Sequence, residues 1–300
     1  MNSMRKKYDK VMRKANGIVK GLTLSLMAVL LLHGKMTVLA ESRTYEDDSC
    51  DLVATVEDGE DNDVYFAGGF SAGNQEGVAI LFINTSKDVT VTMKSGVEST
   101  KDYIYIPCPK NSSDARHIIL DNVVIDRSSE ELFFQYSNLV NGGLQGEEQG
   151  ALSAIYYPGE VVTDGSTGAK GYYGKLRLTL RGNNVLKGAK SSNSTESYGD
   201  IYTPSSDDVL AGIWAMNLGI DGDGTLEVSG TDYGIYAKRG LTVAGGAIKA
   251  IGSKDNIHCL SSKLYGGSYA EGGSDNVYGM SAYAGTVGGG AYDLCEVTAN

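Results

Sequence analysis

A block of about 22 residues that repeats through the C-terminal half constrains this chain more than any other feature. Gly212-Ile213-Trp214-Ala215 recurs as Gly234-Ile235-Tyr236-Ala237, then as Asn256-Ile257-His258-Cys259 and as Gly279-Met280-Ser281-Ala282, with its second position spaced by 22, 22 and 23. Two further phases agree. Leu218-Gly219-Ile220 matches Leu241-Thr242-Val243, and Leu226 to Gly230 matches Ile248 to Gly252. Three short strands per block, punctuated by Gly, predict a stack of similar layers in which each layer hydrogen-bonds its strand edges to the next at about 4.8 Å. Ile213, Ile235, Ile257 and Met280 then form one inward column, and Ala215, Ala237, Cys259 and Ala282 another. Cys259 stands where its equivalents are Ala, which predicts a buried thiol acting as a small hydrophobe.

The same phases extend backward through Ala154-Ile155-Tyr156, Leu176 to Gly182, Val185-Leu186 and Ile118 to Ile125. Stretches 127–150, 158–174 and 189–210, rich in Gly, Ser, Thr and Asp, are then insertions at turns. Upstream, Val78 to Ile83 and Val89 to Met93 read as strands with one buried face, since Val89, Val91 and Met93 alternate with Thr90 and Thr92. Residues 41–63 carry ten acidic side chains against Arg43 alone and read as a solvated acidic leader, and 64–114 as an N-terminal β region or cap. The chain from 115 to 300 holds the repeat.

Seven basic residues between Arg5 and Lys20 precede an apolar run from Leu22 to Leu32, and Val38-Leu39-Ala40 offers a small-residue cleavage site, so residues 1–40 have the layout of a secretory signal peptide. The run is roughly half of what a bilayer crossing needs, and the alternative of an uncleaved anchor is the weaker one. The 300-residue chain has a formal charge of −11; without the 8 basic and 1 acidic side chains of residues 1–40, 18 positive and 36 negative remain, for −18. That balance argues against nucleic acid as a partner. The 40 Gly with only 4 Pro, in no triplet order, exclude collagen and imply many tight turns. Four cysteines (Cys50, Cys108, Cys259, Cys295) allow three pairings, of which Cys50 with Cys108 is the first to test. No Cys/His spacing suggests zinc.

The segments Leu178 to Asn184 (Leu-x-Leu-x-Gly-x-Asn), Gly212-Ile213, Gly222 to Leu226 and Gly234-Ile235 resemble the right-handed parallel β-helix of secreted surface proteins of Gram-positive bacteria, which share a pectate-lyase-like fold. The resemblance spans about residues 115–295 and implies an all-β, right-handed parallel β-helix with about 22 residues per coil, a secreted or cell-surface location and binding of polysaccharide or glycan. If Ile213 and Ala215 point inward, Tyr156, Trp214, Tyr236 and His258 form an outward aromatic column suited to stacking on sugar rings. The alternative is a ladder that only stabilises the exterior. Asp221 and Asp223 in a Gly-rich corner are candidates for weak calcium binding, though a plain turn explains them as well. No cofactor is otherwise expected, and no catalytic residue set is placed; a polysaccharide lyase or glycoside hydrolase on the same fold, and an adhesin binding other surface proteins, are the rival functions.

Overall fold

The computed structural model describes residues 41–68, 78–107, 115–132, 152–163, 166–167, 170–191, 209–271, 278–287, 291–292 and 297–299. The expected signal peptide, Cys108, Cys295 and large parts of the three expected insertions lie outside them.

Among the described residues twenty-four strands follow one another and there is no helix. The first nine are β1 (Ser42–Tyr45), β2 (Leu52–Glu57), β3 (Val64–Gly68), β4 (Ala79–Ile83), β5 (Asp88–Met93), β6 (Tyr103–Tyr105), β7 (Ala115–Asp121), β8 (Val124–Asp126) and β9 (Glu131–Leu132). Next come β10 (Ile155–Tyr157), β11 (Glu160–Thr163), β12 (Lys170–Tyr173), β13 (Lys175–Arg181), β14 (Asn183–Lys187) and β15 (Lys190–Ser191). The remainder are β16 (Ala211–Gly222), β17 (Thr225–Ser229), β18 (Tyr233–Val243), β19 (Ala247–Ile251), β20 (Asp255–Leu264), β21 (Ser268–Glu271), β22 (Tyr278–Val287), β23 (Ala291–Tyr292) and β24 (Val297–Ala299).

The fold is all-β, but the expected parallel β-helix has to be corrected. Its 14-stranded main sheet is mixed, because β1 with β2, β2 with β5 and β3 with β4 are antiparallel while the other pairs are parallel. A three-strand layer is not the unit either: the first two phases of the repeat run on as the single long strands β16, β18 and β20. The physical reason lies in residues 42–93, which lack the 22-residue period that sets like strands side by side. The short connection between β1 and β2 suits an antiparallel pair, while β2 with β5 and β3 with β4 meet across longer ones. The stretch expected as a solvated acidic leader contributes β1 and β2, and Leu52, Ala54 and Val56 are fully buried there while the acidic side chains occupy turns and the outer face.

Within the parallel part, the registers follow the sequence repeat. Ile213 pairs with Ile235 and that with Ile257; Leu176 pairs with Leu218 and that with Leu241. Strand β18 carries one extra residue where its two halves meet, a bulge between Ala237 and Gly240. A six-stranded all-parallel sheet, in the order β23-β21-β19-β17-β14-β8, packs its inward Leu186, Leu226, Val228 and Ile248 into the same core as the main sheet. The core row Leu81, Ile104, Ile155, Ile213, Ile235 and Ile257 crosses six adjacent strands. Burial of this kind contributes roughly 1.5–3 kcal/mol per large aliphatic side chain.

Polar groups inside the fold are tied down. Asn184 accepts from the Val123 amide at 3.0 Å and donates to the Arg181 and Thr225 carbonyls, so one side chain joins three layers at the corner between β13 and β14. The buried Asp102 carboxylate accepts from the amides of Asp51 and Ala79, both at 2.7 Å. Cys259 is fully buried in register with Ala237, as its column predicts, and burial pushes its thiol up to about 12. Cys50 is likewise buried and free among the described residues, outside which its expected partner Cys108 lies; burial, reinforced by the Asp102 carboxylate, raises its thiol to about 12.

Candidate functional site

The aromatic column forms in register, and it is longer than the repeat alone indicates. Tyr65, Phe82, Tyr105, Tyr156, Trp214, Tyr236 and His258 are direct partners across seven neighbouring strands. Their rings follow at centroid separations of 4.5, 5.2, 5.6, 5.0, 5.9 and 5.0 Å. Six strand spacings make the row about 29 Å long. Cross-strand partners on one face sit close enough for rings to touch, which is why residues two strands of sequence apart become a continuous spine.

Exposure divides the spine into parts. Tyr156 and Trp214 are 6% and 7% exposed, packed under Val209, Ala211 and Met216, so the expected outward presentation of these two rings does not hold. The Lys238 ammonium lies 5.9 Å from the Trp214 ring. Burial, with Tyr105 adding to it, raises the Tyr156 phenol well above its ordinary range. Toward β20 the spine opens: Tyr236 and His258 are half-buried and stack within 5° of parallel. Tyr233, also half-buried, touches both rings at 5.2 Å.

Around this opening the polar groups are fixed. His258 Nδ1 lies 3.1 Å from Asp255 Oδ2, and Lys254 pairs with Asp232 at 3.2 Å while its ammonium stands 5.9 Å from the Tyr233 ring. Burial first, then the Asp255 and Asp232 carboxylates, push the Tyr233 phenol up to about 12. It therefore stays a hydrogen-bond donor through the neutral range. An aromatic platform with a phenol, a carboxylate and an ammonium at its rim is able to stack on an apolar ring face and to bond its hydroxyls.

Sequence reasoning missed Tyr65, Phe82, Tyr105 and Tyr233. The first three lie outside the 22-residue period, and only the alternation in Ile80 to Phe82 and Tyr103 to Tyr105 marks them as outward. Tyr233 was hidden because it stands three residues before Tyr236 and reaches the same face only through the local strand geometry.

A second polar assembly crosses β5, β7, β13 and β16. Asp88 Oδ1 lies 2.9 Å from His117 Nδ1, and His117 Nε2 lies 2.8 Å from Thr179 Oγ1. Thr179 donates to Asp221 Oδ1 at 2.5 Å, and Arg177 Nε donates to Asp221 Oδ2 at 2.6 Å. The single hydroxyl proton of Thr179 is directed at Asp221 and not at His117, which makes this row a cross-strand polar ladder rather than a nucleophile with its base. In this row Asp221, the residue expected as half of a calcium corner, accepts one hydrogen bond at each oxygen, from Arg177 and from Thr179. Among the described residues no three His, Cys, Asp or Glu side chains converge as a metal site.

No protein family matches the chain, and neither a curated protein nor a solved structure matches it. What the fold and these surfaces define is the class of all-β protein.

Proposed function

We propose that this protein acts outside the cytoplasm, secreted or held at the cell surface, as a non-catalytic carbohydrate-binding protein that contacts glycan through Tyr233, Tyr236 and His258. The observation that carries the reading is the stacked, half-open end of the aromatic spine beside Asp255 and Lys254. The signal-like residues 1–40 and the acidic remainder support the location. Within this reading Tyr156 and Trp214 are structural, holding the platform flat rather than touching sugar.

A glycan array probed with the purified protein and with Tyr236→Ala and His258→Ala tests it. Retention of a glycan by the parent and its loss by at least tenfold in both variants is expected. Binding that is unchanged in both variants removes the platform from the proposal. A second reading, an adhesin for a protein partner, is favoured by the burial of Tyr156 and Trp214, since a spine closed over most of its length serves stiffness better than ligand contact. It predicts no glycan retention at all.

A further inference from the structure

The outward faces of β13, β16 and β18 enclose a groove of about 370 Å³, away from the aromatic spine and within the size range of small-molecule sites. Its shape comes from two glycines placed in neighbouring cross-strand rows. Gly219 lies between Arg177 and Thr242 in one row, and Gly240 is paired with Asn217 in the other. Where the side chain is missing, the sheet surface drops to the backbone and the flanking side chains become walls.

Gly219 is not demanded by the fold at this point, whereas Gly240 closes the bulge of β18 and has a backbone reason of its own. A Cβ built on Gly219 meets nothing closer than the Leu176 carbonyl at 3.8 Å, and on Gly240 only the ends of the Asn217 and Ser261 side chains at 3.3 and 3.5 Å. Gly222, by contrast, has φ +100° and its Cβ would collide with the Leu180 backbone. Glycine inside a strand weakens it, and a strand glycine that no turn or close packing requires marks a place where something else approaches the backbone.

The chemistry of the groove is one-sided. Each Asp221 oxygen already accepts one hydrogen bond and the Arg177 guanidinium offsets its charge, so Lys175 leaves the groove with a net positive charge. Lys175 forms no ion pair among the described residues, and Arg177, held by its Nε, is 55% exposed at the side chain and keeps its terminal nitrogens as donors. Ala115, Ala244 and the Thr242 side chain, all exposed, contribute apolar lining beside the glycine backbone, whereas Leu218 and Ile220 turn their side chains into the core. Two cationic donors about 7 Å apart on one strand face, beside an apolar trough, complement an anion with an apolar body.

We propose that this groove binds an amphiphilic organic carboxylate, its acid group between Lys175 and Arg177 and its apolar part over Gly219 and Gly240. The site is separate from the glycan platform.

Isothermal titration of the full chain with octanoate, octanamide and octylamine tests this. Saturable octanoate binding is expected, at least tenfold stronger than for octanamide and undetectable for octylamine. Lys175→Gln weakens it at least tenfold, and Gly219→Val, which fills the trough, abolishes it while leaving the far-UV circular dichroism unchanged. Should Gly219→Val not fold, Gly219→Ala takes its place with a weakening of severalfold. Equal binding of octanamide, octanoate binding untouched by Lys175→Gln together with either glycine variant, or a uronic-acid oligomer bound in place of octanoate each overturn the proposal.

Discussion

The Trp214 ring sits 5.0 Å from that of Tyr156, and both are more than nine-tenths buried in a row whose ends are open. Removing the indole from this position leaves a void between two rings that cannot close, because Tyr156 and Tyr236 are fixed by backbone pairing on both sides. Trp214→Ala is expected to cost about 3–5 kcal/mol of stability. The measurement is the urea midpoint followed by far-UV circular dichroism. A loss below about 1 kcal/mol would mean that Trp214 is not packed as described.

How much of this was legible beforehand differs between the two halves of the chain. In residues 154–287 each strand phase was readable because parallel pairing repeats the same side chain at the same depth, so Ile213, Ile235 and Ile257 announce their own register. In residues 42–93 pairing partners such as Val53 and Thr92, or Tyr65 and Phe82, share no pattern, and only the path of the turns decides which strands meet and in which direction. The mixed sheet was therefore out of reach. The binding surfaces were partly readable: alternation alone placed Tyr236 and His258 on the outer face, but depth of burial at Trp214 depends on Val209 and Met216 folding over it. Gly219 and Gly240 were visible as residues, yet nothing local distinguishes them from the corner glycines until φ is known.

Gly222 and Gly96 separate conformational strain from steric conflict. Both have positive φ, +100° and +85°, but a Cβ at Gly96 meets nothing within 4 Å, whereas at Gly222 it meets the Leu180 amide nitrogen at 2.6 Å. Gly96→Ala is expected to cost about 1 kcal/mol from the left-handed conformation alone. Gly222→Ala should exceed it by roughly 1–3 kcal/mol, since β16 must shift against β13. Denaturant midpoints of the two variants check the ranking; an equal loss would show that β16 relaxes freely there.

Asp102 holds the starts of two strands from inside. Its carboxylate is 1% exposed and accepts from the amides of Asp51, just before β2, and of Ala79, the first residue of β4. Asp102→Ala leaves two amides without their acceptor, at about 1–3 kcal/mol each where they stay dry. Asp102→Asn retains one acceptor oxygen and is expected to lose about half as much. Amide hydrogen exchange at Asp51 and Ala79 reads the effect directly: both should exchange faster in Asp102→Ala, and unchanged protection at both would contradict the assignment.

Asp126 sets part of the acid limb. Burial opposes its charge, but the Lys187 ammonium at 2.8 Å and the Ser128 hydroxyl and amide outweigh that and hold the carboxyl below its ordinary 3.8. A depressed folded-state value means that its stabilisation is complete above 3.8 and is lost as pH falls below it through the folded value. The pair is partly solvated, so its share is below about 1 kcal/mol. Asp126→Asn should lower the midpoint at pH 6 and leave the parent and variant curves converging toward pH 2. Curves that stay parallel would assign the acid limb to other carboxylates.

The alkaline limb belongs in part to the buried thiol of Cys259. Its folded value of about 12 stands above the ordinary 9.0, with burial as the cause, so the folded chain keeps a proton that the unfolded chain gives up. The stability it brings is complete below 9.0 and is lost progressively as pH rises from there toward 12, at up to about 1.4 kcal/mol per pH unit. Ala237 and Ala215 occupy the same column, so Cys259→Ala fits with little rearrangement and removes this dependence. The parent and Cys259→Ala should differ by no more than about 1 kcal/mol at pH 7, and the variant should gain on the parent with each step above pH 9. Urea midpoints at pH 7, 9 and 10 decide it, because a gap that does not change with pH would mean that the thiol ionises no differently in the folded chain than in the unfolded one.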